Sequence, residues 1–126
     1  MKIKVLVLFF VFCFSNVIFA QQAELLSNGN YKLVGNSRVE IRTASGSLIT
    51  YLNGNNPRAY LLSNGCYSLI TYSRAEIRTA SGSLITYLNG NNANAYLLEN
   101  GNYCLSTNSR TEIRSPSGSL ITYINN

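Results

Sequence analysis

Histidine, tryptophan and aspartate are missing from this 126-residue chain, and its one methionine is the first residue. Without histidine or aspartate the chain cannot build a Ser-His-Asp or Cys-His catalytic arrangement, nor an imidazole-bearing zinc site. Glutamate is the only carboxylate side chain left for acid-base chemistry. Proline occurs twice, at Pro57 and Pro116, and charged residues make up 12% of the chain. No basic run is present that would track a phosphate backbone, so nucleic acid is not an expected partner. The chain has no Asn-x-Ser/Thr sequon after residue 20, so N-glycosylation is not expected.

The first twenty residues stand apart in composition. Lys2 and Lys4 precede an apolar run from Val5 to Phe14, and Ser15 to Ala20 ends on a small residue before Gln21-Gln22. This pattern reads as a secretory signal peptide over residues 1–20, cut after Ala20. The run is too short for a spanning helix, which needs about 20 apolar residues. No membrane span is expected once the leader is removed. The expected location is secreted and extracellular, or periplasmic or cell-surface if the source is bacterial. The remaining 106 residues carry eight Lys or Arg and five Glu, a net charge of +3.

A 36-residue block follows three times. Asn28-Gly29, Asn64-Gly65 and Asn100-Gly101 are in register, as are Ser45-Gly46, Ser81-Gly82 and Ser117-Gly118. Arg38 to Asn56 and Arg74 to Asn92 differ only at Val39 against Ala75. Such a repeat is one supersecondary unit that cannot bury its apolar face alone, so copies must pack on one another. Residues 21–126 are therefore read as one all-β domain, with repeats at about 23–56, 59–92 and 95–126. Turn signals fall about every nine residues, with Tyr, Ile, Leu, Val and Thr between them. That spacing predicts three repeats of four short antiparallel strands. The Asn-Gly pairs predict two-residue type I′ turns, in which both residues take positive φ. A β-prism-like arrangement fits the repeat length, with a β-trefoil and a β-solenoid as alternatives.

Alternation assigns faces in the third strand of each repeat. Val39 and Ile41 lie on one side and Arg38, Glu40 and Arg42 on the other; Arg74, Glu76 and Arg78 repeat the row, as do Arg110, Glu112 and Arg114. The apolar side is expected in the core and the charged row toward water or a partner. These nine residues are the candidate ligand-binding set. Arg and Glu can hydrogen-bond sugar hydroxyls or acidic glycans, and Tyr51, Tyr87 and Tyr123 nearby can stack on sugar faces. As an alternative, the row is a solvated face of cross-strand ion pairs, each contributing little. Arginines beside a glutamate lower its pKa, whereas a general acid needs it raised, so no enzyme activity is expected.

The stretches Leu25 to Leu33, Leu61 to Leu69 and Leu97 to Leu105 share the pattern Leu-x-x-Asn-Gly-x-Tyr-x-Leu. Each is followed by Ser-Gly-Ser-Leu-Ile, at Ser45 to Ile49, Ser81 to Ile85 and Ser117 to Ile121. This resembles the bulb-type mannose-binding lectin repeat across residues 21–126. The resemblance implies a β-prism of three four-stranded sheets and a carbohydrate-binding module. That family's Gln-x-Asp-x-Asn-x-Val-x-Tyr sugar strand is not retained, since the matching strand reads Ser37 to Thr43. No sugar-binding residue carries over.

Two functional expectations result. One is a secreted, non-enzymatic, lectin-like binding module, multivalent toward cell-surface or extracellular glycans. The other is a self-assembling extracellular structural or adhesive repeat protein of amyloid-like character. Against a fibre, in-register stacking would set Arg38, Arg74 and Arg110 above one another. Cys66 and Cys104 are a candidate disulfide in an exported chain, although they occupy non-equivalent repeat positions. No metal and no cofactor are expected.

Overall fold

The computed structural model describes residues 22–126, so the leader expected over 1–20 lies outside the described residues. Twelve strands run in chain order. The first sheet is β1 (Gln22–Leu25), β2 (Tyr31–Val34), β3 (Arg38–Arg42) and β4 (Leu48–Asn53). The second is β5 (Arg58–Leu61), β6 (Tyr67–Thr71), β7 (Arg74–Arg78) and β8 (Leu84–Asn89). The third is β9 (Asn94–Leu97), β10 (Tyr103–Ser106), β11 (Arg110–Arg114) and β12 (Leu120–Asn125). Each sheet is an antiparallel meander with strands in sequence order. The described residues form an all-β fold, with three repeats of four short strands.

The Asn-Gly turns differ from the expected type. Only the glycine takes positive φ, at +89° for Gly29, +88° for Gly65 and +91° for Gly101. Gly29 N–H donates to Leu26 O at 3.0 Å, and Leu26 N–H donates to Asn30 O at 2.8 Å. This is a three-residue loop in which a type I turn is closed by a left-handed glycine. Asn28 does not take positive φ, and its side chain accepts the Asn30 N–H at 3.1 Å, an Asx contact across the turn.

The sheets pack face to face in series. One core cluster joins Val39, Ile41 and Leu52 of the first sheet to Ala59, Tyr67 and Leu69 of the second. The other joins Ile70, Ala75 and Ile77 of the second to Ala95, Tyr103 and Leu105 of the third. Tyr67 and Leu69 point one way along β6, and Ser68 and Ile70 point the other, as strand alternation requires. The second sheet is thus covered on both faces, and all five residues of β6 are buried. At the two ends, every residue of β1 and of β12 is exposed.

Each sheet therefore has two unlike faces. A forward face, carrying Val39, Ile41 and Leu52 in the first sheet, packs on the next sheet. A receiving face, carrying Ala59, Leu61, Tyr67 and Leu69 in the second, accepts the previous one. Polar bonds cross both junctions at matching positions. Asn28 Nδ2 and Asn30 Nδ2 donate to Tyr67 Oη at 2.8 and 2.7 Å. Asn64 Nδ2 donates to Tyr103 Oη at 2.8 Å. Lys32 Nζ reaches Ala59 O at 2.9 Å, and Ser68 Oγ reaches Ala95 O at 2.7 Å.

Candidate functional site

All three charged rows close on themselves. Glu40 accepts Arg38 Nε at 2.7 Å on one oxygen and Arg42 Nε at 2.8 Å on the other. The corresponding distances are 2.6 and 2.8 Å at Glu76, and 2.6 and 2.9 Å at Glu112. The second arginine of each row also donates to the serine-glycine turn: Arg42 Nη1 to Gly46 O, Arg78 Nη1 to Gly82 O and Arg114 Nη1 to Gly118 O, at 2.8 to 2.9 Å. Side chains two apart on a strand share a face, so one carboxylate sits between two guanidinium groups.

Tyrosine completes the row. Glu40 pairs across the sheet with Tyr51, Glu76 with Tyr87 and Glu112 with Tyr123. The guanidinium of Arg38 lies 3.8 Å from the centroid of the Tyr51 ring, Arg74 lies 4.0 Å from Tyr87, and Arg110 lies 3.7 Å from Tyr123. A cation over a ring at this range is attracted by the ring's quadrupole. The three tyrosines remain exposed. Their arginines are held in place from two sides, by the carboxylate at Nε and by the ring below. The structure thus brings the nine candidate residues together as three like stations, each completed by one tyrosine.

These rows do not simply face water. All three lie on the receiving side of their sheets, and the second and third rows sit at the rim of a junction, so Glu76 and Glu112 are buried at 3% and 4% exposure. Burial by itself raises the Glu40 and Glu112 carboxyls. The paired arginines, Arg42 and Arg38 for the first and Arg114 and Arg110 for the second, outweigh it and hold both below the ordinary carboxylate range. Beside each buried row runs a groove. A groove of about 500 Å³ is lined by β4 and by Glu76, Arg78 and Gly82. Its counterpart of about 390 Å³ is lined by β8 and by Glu112, Arg114 and Gly118. The walls are repeat equivalents.

The candidate Cys66–Cys104 disulfide does not form, and both thiols are free. Cys66 Sγ accepts from Tyr103 Oη at 3.4 Å. Cys104 follows Tyr103 in β10, so alternation sends its side chain to the opposite face of the third sheet. There it lies against Tyr96, whose hydroxyl pKa it raises. Burial, together with the Cys66 contact, likewise raises the Tyr103 hydroxyl.

Two groups were not picked out from the sequence. One is the asparagine-to-tyrosine bonding across the junctions. Its signal is a recurring offset of 39 residues, from Asn28 to Tyr67 and from Asn64 to Tyr103. The other is the close approach at Gly82 and Gly118. A Cβ at either position would fall within contact distance of a backbone carbonyl of the preceding sheet, Ile49 O or Ile85 O.

No family model matches the chain. A search of curated proteins also finds no match. Among solved structures, a protein of unknown function from Bacteroides caccae is similar at 11% identity and a TM-score of 0.48, covering 84% of this chain and 46% of that one. The Pan2 WD40 domain of Neurospora crassa is similar at 14% identity and a TM-score of 0.43, covering 82% and 35%. The chain spans less than half the length of either neighbour.

Proposed function

We propose that this protein is an exported, non-enzymatic binding module that presents three equivalent guanidinium–tyrosine stations to a repetitive acidic glycan. The observation that carries this reading is the recurrence of one geometry three times, with an exposed ring and a pinned arginine at each station. In every station the Nε is taken by glutamate, while the planar group as a whole stays partly exposed. An oriented guanidinium can pair with carboxylate or sulfate oxygens, and a ring can stack on a sugar face. Three weak stations on one body gain avidity on a polymer that repeats the same group. Glu40 and Glu112, held ionised between their arginines, support binding rather than general acid catalysis.

The test is elution from an immobilised sulfated polysaccharide in a salt gradient. A triple variant, Y51A/Y87A/Y123A, keeps the net charge and alters only exposed side chains. The reading predicts retention of the wild type, elution of the triple variant at clearly lower salt, and intermediate elution of single variants. Equal elution of wild type and triple variant would reduce the interaction to net charge and overturn the reading. A second reading, a self-assembling structural repeat protein, is favoured by a separate observation, the open faces at both ends of the stack.

A further inference from the structure

The junction between sheets is used twice inside the chain, and one half of it is left over at each end. The receiving face of the first sheet carries Ala23, Leu25, Tyr31 and Leu33. These are the repeat equivalents of Ala59, Leu61, Tyr67 and Leu69, which are packed in the first junction. Tyr31 is 39% exposed where Tyr67 and Tyr103 are 0% and 1%, and Leu25 is 65% exposed. At the other end, Ile124 of the third sheet's forward face is 64% exposed, where its equivalent Leu52 is buried. Among the described residues nothing covers either face. We propose that a second copy of this chain does so, the third sheet of one copy packing on the first sheet of the next as the sheets pack within the chain.

The occupant is argued from the residues themselves, because the two open faces carry matching halves of the interior contact. The first junction closes with Asn28 and Asn30 on the Tyr67 hydroxyl, and in the second Cys66 replaces one asparagine. Asn100 and Asn102 restore the full pair at the open forward end, and Tyr31 is the hydroxyl placed to receive it. Gly82 and Gly118 pack on the carbonyls of Ile49 and Ile85, whereas Gly46, at the same φ near +97°, has nothing within 4 Å of the Cβ position. The carbonyl it would meet is that of Ile121 in the preceding copy.

One pair of positions changes sides. Inside the chain Gly54 packs on Thr71 and Gly90 on Thr107, a glycine from the earlier sheet against a threonine from the later one. At the seam the earlier sheet offers Asn126 and the later one Gly35. The contact keeps one glycine and one larger residue, with the sides exchanged. Among the described residues nothing requires glycine at position 35. Its φ is not positive, and a Cβ there would meet only Arg38 O, at an ordinary 3.5 Å. A neighbouring copy bringing Asn126 to this point accounts for it.

The contact joins unlike faces, so it is heterologous and either closes into a ring or extends as a filament. Arginine rows stacked copy over copy do not oppose this, because each row carries its own glutamate between the two guanidiniums.

Sedimentation velocity across a concentration series, without added glycan, tests the proposal independently of the binding reading. Leu25→Glu damages only the receiving end, and Ile124→Glu only the forward end. Both sites are exposed, and circular dichroism checks that each variant keeps its sheet content. The wild type is expected to sediment above the mass of one chain, either growing with concentration or reaching a fixed ring. Each variant alone should be a monomer, and an equimolar mixture should give a one-to-one dimer and nothing larger. Gly35→Thr should weaken wild-type association at least tenfold without changing the monomer's melting. A wild type that stays monomeric at ~1 mM, a single variant that still associates, or a mixture that stays monomeric would each overturn the proposal.

Discussion

Gly46 and Gly82 occupy the same Thr-Ala-Ser-Gly-Ser turn at φ of +97° and +98°, and differ in what lies next to them. Replacing either with alanine carries the same backbone penalty, about 1–2 kcal/mol for a Cβ in left-handed space. At Gly46 the cost ends there, since nothing lies within 4 Å. At Gly82 the new methyl would be driven into Ile49 O, with Ile49 Cγ2 at 3.2 Å. A backbone carbonyl within a paired strand cannot swing away as a side-chain tip can. Overpacking of this kind adds about 1–3 kcal/mol. Gly46→Ala should therefore lose about 1–2 kcal/mol and Gly82→Ala about 2–5 kcal/mol. For a domain of this size each kcal/mol moves the Tm by about 4–8 °C. Urea titrations followed by circular dichroism, at protein concentrations low enough to keep single chains, give the comparison. Gly118→Ala should behave like Gly82→Ala, because Ile85 O stands in the same relation to it. Equal losses at positions 46 and 82 would refute the argument, since the sheets would then not meet at this carbonyl.

Tyr67→Phe removes the hydroxyl that accepts Asn28 and Asn30, and should cost about 0.5–1.5 kcal/mol in the same titration. Tyr31→Phe should fall within about 0.5 kcal/mol of wild type in the single chain. Glu76→Gln leaves Arg74 and Arg78 without their carboxylate in a buried position and should cost about 2 kcal/mol, below the full buried-pair range because the guanidiniums are partly hydrated. Glu40→Gln, at the more open first row, should cost less than half as much. Stability should also fall with acid. Glu40 and Glu112 have folded pKa values below their unfolded ones, so their contribution is present in full above the unfolded value of about 4.3 and is lost as pH falls through the folded values. Urea midpoints flat from pH 7 to 5 and declining below about pH 4 are expected. A midpoint that rises on acidification would contradict this sign.

Much of the fold was legible because it is written in local pattern. The 36-residue period gave three sheets, and period-two alternation put Val39 and Ile41 in the core, where both are fully buried. Alternation also grouped Arg38, Glu40 and Arg42 on one side, which is how the structure has them. The order of covering was not legible. Tyr31, Tyr67 and Tyr103 hold the same place in the Leu-x-x-Asn-Gly-x-Tyr-x-Leu pattern, yet the first is exposed and the others are buried. Leu52, Leu88 and Ile124 likewise pass from buried to exposed along the chain. Local sequence sets which way a side chain points from its sheet, while burial depends on whether another sheet lies opposite. The burial of Glu76 and Glu112 escaped the sequence for the same reason. The turn type was not legible because Asn-Gly serves both two-residue and three-residue loops, and the Asx bond that Asn28 Oδ1 accepts from the Asn30 N–H goes with the longer one. The two cysteines read as a pair because the chain reads as exported, and the one-residue step between Tyr103 and Cys104 is what parts them.

Native-state hydrogen exchange on dilute single chains tests the serial stack most directly, since amide protection reports how well each strand is covered. A serial stack should give the slowest exchange in β6 and β7 of the doubly covered second sheet, and the fastest in β1 and β12. Equal protection of the matching strands in all three sheets would mean that each is covered alike, and would contradict it.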